Sequence, residues 1–529
     1  FNSNIMSQKK LLGKLYARHI IWLVTLSFLM GTLFLAAYYK VHPIFLSAPL
    51  VMIILVTIDS FQSKHSVRRN YPLVGRLRYL FESVRPEFRQ YFFEGELDGK
   101  PFNRRQRSIV YQRAKNQKQT ISFGMQDEPN RIGYEWAAHS IYPKKNDFSQ
   151  FRVTIGNSQC SKPYSASIFN ISAMSYGALS KTAISSLNEG AKMGNFAHNT
   201  GEGGISDYHL KGGDLIWQIG TGYFGCRDGK GHFNDALFVE KANLKEVKMI
   251  EIKLSQGAKP GHGGLLPAEK NTPEIARIRA LEPHKTVHSP SAHTAFSNAT
   301  ELLYFIQKLR NLSNGKPVGF KICIGKKEEF TEILEAMLNT NILPDFITID
   351  GAEGGTGAAP LEFIDYMGMA LSDALVFAHK SLLDYGLRSE IKILASGKII
   401  SAFDIAKTLA LGADACYSAR GMMFALGCIQ ALQCDSGKCP VGIATQDKSL
   451  YKGLDITDKR VRVANFHKNT LKAVAEFIGA CGFESPDQVT AETFFRRVNY
   501  NTNLNFKEIY FTNPETKNKT LDKETIFLN

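Results

Sequence analysis

"FITIDGAEGGTGAAP", residues 346–360, joins two kinds of chain. Phe346 to Ile349 are bulky or β-branched and suit a buried strand, which ends on Asp350. Four glycines follow between 351 and 357. Glycine carries no Cβ, so backbone just past the strand can approach a neighbour closely. The same order recurs along the chain. Candidate strands lie at 168–172, 196–198, 216–220, 249–254, 318–323, 346–350, 391–396 and 415–418. Helical patterns at 298–311, 327–339, 361–386 and 401–411 fall between them.

Eight strands alternating with helices over roughly 260 residues match a (β/α)8 TIM barrel. A doubly wound open sheet uses the same alternation. What tips the choice is where the polar loops fall. "SAMSYGALS" 172–180, "HNTGEGG" 198–204, "SQGAKPGHGG" 255–264, "SGKII" 396–400 and "SARG" 418–421 each follow a strand directly. In a barrel such loops converge on the carboxyl-terminal face, where the site must lie. No strand runs into G-x-G-x-x-G and a helix, so a dinucleotide fold finds little support.

The amino-terminal part is a different material. Residues 20–39 and 41–58 carry no charged side chain, and the first stretch is long enough to span a bilayer. Pro43 marks a turn between them. A signal peptide would have a shorter apolar core and a cleavage site. The expectation is a two-helix transmembrane hairpin, residues 1–60. Lys9, Lys10, Lys14 and Arg18 precede it and Lys64, Arg68, Arg69, Arg76 and Arg78 follow it, which puts both ends in the cytoplasm. Localisation to the inner (cytoplasmic) membrane, multi-pass, follows.

The net charge of +15 is unevenly spread: residues 60–119 hold 14 Lys/Arg against 5 Asp/Glu. Anionic headgroups are the nearer partner for a juxtamembrane stretch. No zinc-finger, RNP or basic-helix pattern accompanies the charge, so no nucleic-acid partner is expected.

Of the 8 cysteines, Cys428, Cys434 and Cys439 cluster in "CIQALQCDSGKCPVG", 428–442. Structural zinc wants a fourth ligand, and none lies nearby in sequence. A disulfide is disfavoured in a reducing compartment. Three ligands of an iron–sulfur cluster and three buried core cysteines remain, and spacing alone leaves both open.

"MSYGALS" 174–180, "NTGEGG" 199–204, "IKLSQGAKPGHGG" 252–264, "DGAEGGTGAAP" 350–360 and "CIQALQCDSGKCPVGIATQD" 428–447 together resemble the FMN-binding synthase domain of glutamate synthase. The resemblance covers about 165–450. It implies a (β/α)8 barrel holding FMN, with Cys428, Cys434 and Cys439 as ligands of a 3Fe–4S cluster beside it. The implied domain plan is a hairpin 1–60, a basic juxtamembrane region 61–150, a barrel with its cluster loop 151–450, and a C-terminal helical extension 451–529.

Within that frame, Lys253 and Lys321 stand on apolar strands, where an unpartnered lysine is costly. A flavin or substrate anion is expected as their partner in preference to a core salt bridge. Reduced FMN carries negative charge that a cation would stabilise. The resemblance places Lys253, Gln256 and Lys321 along flavin and substrate. The catalytic set is Lys253, Glu202, Gln218 and Lys321. Phosphate binding in barrels falls to the loops after strands seven and eight, here Gly397, Lys398, Ala419 and Arg420. Gly354 and Gly355 let backbone reach the cofactor, and Ala173, Met174 and Ser175 are set against its ring.

The implied reaction is reductive amination of 2-oxoglutarate to glutamate. With Cys160 the first cysteine, no amino-terminal glutaminase nucleophile is expected, so free ammonia is the nitrogen source. Electrons are expected from ferredoxin or a separate reductase. Two departures bear on the substrate. "IWQIGTGYFGC", 216–226, has Trp217 and Tyr223 where the family has a lysine and an arginine, and His262 replaces a glutamate. Losing two cations from a dicarboxylate pocket favours another imino or keto acid. A membrane electron-transfer subunit without a substrate is the third reading.

Overall fold

The computed structural model describes residues 17–40, 42–117 and 119–512, which divide into two compact units, 1–104 and 105–529. In the second unit eight parallel strands close a barrel. They are β1 (Phe169–Ile171), β2 (His198–Asn199), β3 (Leu215–Ile219), β4 (Val247–Lys253), β5 (Val318–Ile322), β6 (Phe346–Asp350), β7 (Lys392–Ser396) and β8 (Ala415–Ser418). Each pairs with its sequence neighbour, and β8 closes on β1 with Ser418 opposite Ile171. Every expected strand is present. The largest offset is at β2, expected at 196–198. There the Ala197 N–H donates to the Asn170 side chain at 2.9 Å, which takes it out of the ladder.

Three of the expected helices form as Ala299–Leu312, Lys327–Thr340 and Ala402–Ala410. The pattern at 361–386 instead breaks into Leu361–Tyr366 and Leu371–Asp384. Gly368 between them has φ +87°, and a Cβ there would sit 2.6 Å from Cys323 Sγ. The second helix begins afresh because the Glu353 carboxylate accepts from the Leu371 N–H at 3.0 Å.

A β-hairpin, Arg152–Ile155 with Tyr164–Ser167, packs Ile155 and Ala166 against Ile216, Met249, Phe346 and Ala415. Those four lie in the opening residues of their strands, so the hairpin plugs the amino end and leaves the carboxyl end to the loops. Midway along the barrel Glu251 is fully buried. Its Oε1 accepts from Asn199 Nδ2 at 2.8 Å and Gln218 Nε2 at 2.7 Å, and its Oε2 from Thr348 Oγ1 at 2.6 Å. Three donors are what a buried carboxylate requires.

The domain plan needs correction at both ends. Residues 61–150 are not one region: the unit boundary falls at Arg104, and Glu135–Ala137 pairs with Phe494–Arg497 in a small sheet completed by Asn503–Asn505. Residues after 450 are not purely helical for the same reason. The helix Ile456–Ala480 lies against Lys181–Gly194, where a Cβ on Gly190 would sit 2.6 Å from Val463 Cγ1. It belongs to the barrel body. Residues 513–529, and Lys9, Lys10 and Lys14, lie outside the described residues.

The first unit holds the helices Ala17–Tyr39 and Ser47–Phe61, joined through a short turn at Pro43–Leu46. Both apolar stretches, 17–39 and 44–61, are long and apolar enough to cross a membrane, and most of their surface is exposed. Trp22 Nε1 donates to Ser60 Oγ at 3.1 Å between them. A basic helix, Gly75–Phe88, follows.

Candidate functional site

Strand β4 ends on Lys253, and Nζ lies 2.6 Å from Glu202 Oε1 of the loop after β2. This pair lies in a small cleft lined also by Thr221, Ser255, Gln256, Lys259 and His262. Burial pushes the Glu202 carboxyl up, but Lys253, Lys259 and Arg279 outweigh it and hold the group below the usual range. Lys259 is itself lowered, by burial first and then by Lys253. Arg279 is buried, donates Nη2 to the Tyr176 carbonyl at 2.9 Å and lies 5.2 Å from the Phe224 ring centroid. Its Nε has no partner among the described residues. One carboxylate thus faces three cations.

The lysine on β5 is also paired. Lys321 Nζ lies 3.1 Å from Asp350 Oδ2. Burial would lower it, yet Asp350 and Glu251 raise it above its ordinary value, so it stays charged. The expectation that Lys253 and Lys321 lack core partners is therefore corrected: each has a carboxylate. Asp350 Oδ2 also accepts from the Gly257 N–H at 2.9 Å, tying the β4 and β6 loops together. A Cβ on Gly257 would lie 2.0 Å from the Gly351 carbonyl oxygen, which is why that loop needs glycine.

Beside the cleft, the β6, β7 and β8 loops form a second assembly. Arg420 Nη2 donates to the Glu353 carbonyl at 2.6 Å, and a Cβ on Gly355 would lie 2.7 Å from Arg420 Nε. A Cβ on Gly354 would lie 3.0 Å from Asp350 Oδ1. Gly397 (φ +151°) and Lys398 (φ +52°) turn the chain after β7, and Ala419 precedes the helix Arg420–Leu426 after β8. Ala173, Met174 and Ser175 follow β1; the Met174 N–H donates to the Asn199 carbonyl at 3.2 Å. A Cβ on Gly201 would lie 2.9 Å from Ser175 N. Two cationic side chains among crowded glycine loops could hold a phosphate, and the donor set fits a flavin mononucleotide.

Gln218 lies deeper than the cleft, and its amide is committed to Glu251. The two residues taken as altered pocket positions are elsewhere. Trp217 is fully buried and stacks on Phe238 at 5.2 Å, on the helix-facing side of β3. Strand alternation explains this, since the neighbour Gln218 points inward. The Tyr223 hydroxyl accepts from the Ala295 N–H at 3.0 Å and lies 3.1 Å from His293 Nδ1. Neither lines the cleft; His262 does.

Cys428, Cys434 and Cys439 share the loop after Arg420–Leu426. Burial, then the two other thiols, pushes Cys428 up to about 12, and burial followed by Cys439 raises Cys434. Among the described residues no group of three His, Cys, Asp or Glu closes into a metal site. The loop nevertheless brings three thiols together, with Asp435 beside Cys434, and Lys270 Nζ donates to the Cys434 and Asp435 carbonyls at 3.2 and 2.9 Å. Lys270 lies on the excursion after β4 that also carries Arg279. Cys226, Cys323 and Cys416 are buried single thiols, and Cys160 and Cys481 are half-buried.

Sequence reading passed over Lys259, Arg279 and Glu251. Lys259 stood inside a quoted motif. Glu251, flanked by isoleucines on a strand, carried the same signal as the lysines. Arg279 had none, being far from any strand end.

Fold and cleft define a (β/α)8 barrel with a cationic site at the carboxyl ends of its strands. Residues 110–484 match the family described as the conserved region in glutamate synthase. The glutamate synthase large subunit-like protein YerD of Bacillus subtilis is 38% identical over 490 residues, covering 84% of this chain and 93% of that one. The archaeal glutamate synthase (NADPH) of Methanocaldococcus jannaschii is 35% identical over 361 residues, 68% of this chain and 66% of its own. The glutamate synthase (NADPH) large chain of Bacillus subtilis is 30% identical over 332 residues, which is 61% of this chain and 21% of that one. The chain belongs to the glutamate synthase family. The solved flavin-binding domain of baker's yeast flavocytochrome b2 superposes with a TM-score of 0.42 at 12% identity, over 83% of this chain and 90% of that one, too loosely to carry an argument.

Proposed function

We propose that this chain is a glutamate synthase-like oxidoreductase that reductively aminates 2-oxoglutarate with ammonia, drawing electrons from ferredoxin or a separate reductase. The observation that carries the reading is the charge at the cleft: Lys253 and Lys259 line it against Glu202, and buried Arg279 adds positive charge behind that carboxylate. Glu202 offsets one of these cations and leaves net positive charge for the carboxylates of the substrate. With Trp217 and Tyr223 facing away, the substitutions there do not empty the pocket of charge.

FMN would be held at its phosphate by Gly397, Lys398, Ala419 and Arg420, with Gly354 and Gly355 close by and Ala173, Met174, Ser175, Gln256 and Lys321 along the ring. When bound, it supplies hydride transfer and accepts electrons singly. Lys321, kept charged by Asp350, offsets negative charge beside it. Lys253 holds a proton at Nζ, hydrogen-bonded to Glu202, within the cleft where the 2-oxo group of a substrate would lie. Gln218 acts indirectly, by fixing Glu251 under the site.

The three thiols of this loop suit an iron–sulfur cluster, since soft donors favour that chemistry. Cys428, Cys434 and Cys439 would hold a 3Fe–4S cluster supplying one-electron transfer. The apolar helices 17–39 and 44–61 serve as two membrane spans, with the barrel on the cytoplasmic side.

His262 at the cleft gives one observation for a second reading, in which another 2-oxo or imino acid is the substrate. Purified protein given dithionite, ammonia and a panel of 2-oxo acids separates the two. Glutamate is the expected product; faster consumption of a different acid selects the second reading. No amination of any acid sinks both.

A further inference from the structure

The end of the apolar hairpin is locked to the helix that follows it. Asp59, on the last turn of Ser47–Phe61, is fully buried. Its Oδ1 accepts from Arg68 Nε at 2.9 Å and Arg76 Nη2 at 2.9 Å. Its Oδ2 accepts from Arg76 Nε at 2.7 Å and the Leu73 N–H at 3.1 Å. A buried carboxylate with two guanidinium partners and a backbone donor is a fixed joint. The chain leaving the hairpin therefore enters Gly75–Phe88 along a set direction.

That helix is amphipathic with its apolar face outward. Leu77, Leu80, Phe81 and Phe88 are 51, 54, 65 and 52% exposed, and Phe92 and Phe93 in the following turn are 75 and 76% exposed. Leu77, Phe81, Val84 and Phe88 share one face by the helical repeat. The same spacing one residue on gives Arg78, Glu82, Arg85 and Arg89, an edge beside the apolar face that is basic on balance; all four are exposed, and Arg89 Nη2 lies 3.2 Å from Glu94 Oε1. A water-soluble helix would bury such a face. Aromatic and leucine side chains flanked by arginines, clamped to two bilayer-length apolar helices, instead match a helix lying at a membrane surface.

We infer that Gly75–Phe88, with Arg89–Phe93, is an in-plane membrane helix that sinks its Leu77–Phe81–Phe88 face ~5–10 Å into the headgroup and acyl boundary and sets Arg78, Arg85 and Arg89 against anionic headgroups. The occupant is an anionic lipid bilayer. The inference rests on the hairpin being membrane-spanning, and its test separates the two.

The intact chain is reconstituted in phosphatidylcholine nanodiscs with and without phosphatidylglycerol, carrying Phe81→Trp, Phe88→Trp or, on the side turned away from both the apolar face and the arginine edge, Ser83→Trp. Emission of the unsubstituted chain is subtracted. The added indole at 81 and 88 is expected to emit blue-shifted and to be quenched by lipid brominated near the top of the acyl chain more than near its end. Ser83→Trp should stay red-shifted and unquenched. Arg78→Gln/Arg85→Gln/Arg89→Gln should weaken the quenching at 81 only in discs containing phosphatidylglycerol. Water-like emission at 81 and 88 overturns the inference. So does blue-shifted emission without bromine quenching, which would mean a protein surface or second copy covers the face. Equal quenching in both lipids, unchanged by the arginine variant, overturns the anionic preference. Alkaline carbonate reports on the hairpin independently: release of a chain whose indole at 81 is still quenched would remove the spans and leave the surface helix.

Discussion

Lys253 Nζ stands 2.6 Å from Glu202 Oε1, so the cation that β4 delivers to the cleft arrives already paired. Both ends of the pair are set by backbone. Lys253 is the last residue of its strand, and Glu202 lies between Gly201 (φ +66°) and Gly203 in a loop that a Cβ at either glycine would push into Ser175 or Arg279. The pair is positioned before any substrate arrives, so its charge state bears on stability as well as chemistry.

The first prediction follows from that charge state. Burial raises the Glu202 carboxyl, but Lys253, Lys259 and Arg279 lower it further, so its folded pKa lies below its unfolded one. A depressed carboxylate stabilises the fold above the unfolded value, about 4.3 for glutamate, and that stability is lost as pH falls through the folded value. Glu202→Gln should therefore lower thermal stability at pH 7 and flatten its acid dependence below pH ~4.3. Parallel melting curves of the two proteins across that range would show the carboxyl to be unshifted.

Lys259, which lines the cleft, is expected to act on substrate binding directly, and Arg279 through its charge on Glu202. A charge-assisted hydrogen bond contributes roughly 1.5–3 kcal/mol, so Lys259→Met should raise KM for the 2-oxo acid by about 10- to 100-fold. Arg279→Lys keeps the charge but loses the fork that holds the Tyr176 carbonyl, so it should raise KM by less. Flavin content should be unchanged in both. Steady-state kinetics with dithionite-reduced protein tests this; an unaltered KM in Lys259→Met would detach the cleft from the substrate.

How far the sequence reached is clearest from pairs of neighbouring residues. Strand positions were legible because buried strands in a barrel read as short apolar runs, and β6 and β8 fall on the expected residues. Lys253 and Lys321 were legible as functional candidates from their strands. Their partners were not, since Glu202 and Asp350 lie 51 and 29 positions away and only the barrel's closure brings them near. Trp217 shows the opposite failure. A motif comparison treats every changed residue in a loop as part of the pocket, whereas strand alternation sends Trp217 to the helices and Gln218 to the interior. Arg279 comes from an excursion whose path no local pattern specified.

Trp217 accordingly gives a stability prediction rather than a specificity one. Truncating a fully buried aromatic removes its packing and leaves a cavity, at about 3–5 kcal/mol for Trp→Ala. Trp217→Phe, which keeps the stack on Phe238, should cost far less and leave the preference among 2-oxo acids unchanged. Denaturant unfolding measures the first effect and substrate competition the second. A changed preference in Trp217→Phe would return that residue to the pocket.

The cofactor loops can be probed without altering a charge. A Cβ at Gly355 would sit 2.7 Å from Arg420 Nε, so Gly355→Ala should displace the guanidinium while the barrel remains folded. We expect weaker flavin retention in Gly355→Ala and complete loss in Lys398→Glu/Arg420→Glu, since reversing both cations opposes a phosphate directly. Absorbance of the purified variants, set against circular dichroism, reads flavin and fold separately. Full flavin content in the double variant would move the phosphate elsewhere.

The last prediction concerns the thiol loop. Lys270 holds the Cys434 carbonyl at 3.2 Å from the excursion after β4, so the thiol loop is tied to the segment that follows the Lys253 strand. Burial pushes the Cys428 thiol up to about 12, so without iron it should remain protonated and alkylate slowly at neutral pH. Iron binding requires the thiolates, and three of them imply about three irons per chain. Cys434→Ser should lose that iron together with turnover driven by ferredoxin or a reductase. Flavin, held by loops after other strands, should remain, and amination driven by dithionite should persist. That split between the two electron sources is the measurement. An iron-free protein retaining full donor-driven turnover after anaerobic purification would make Cys428, Cys434 and Cys439 packing residues and send the electrons by another route.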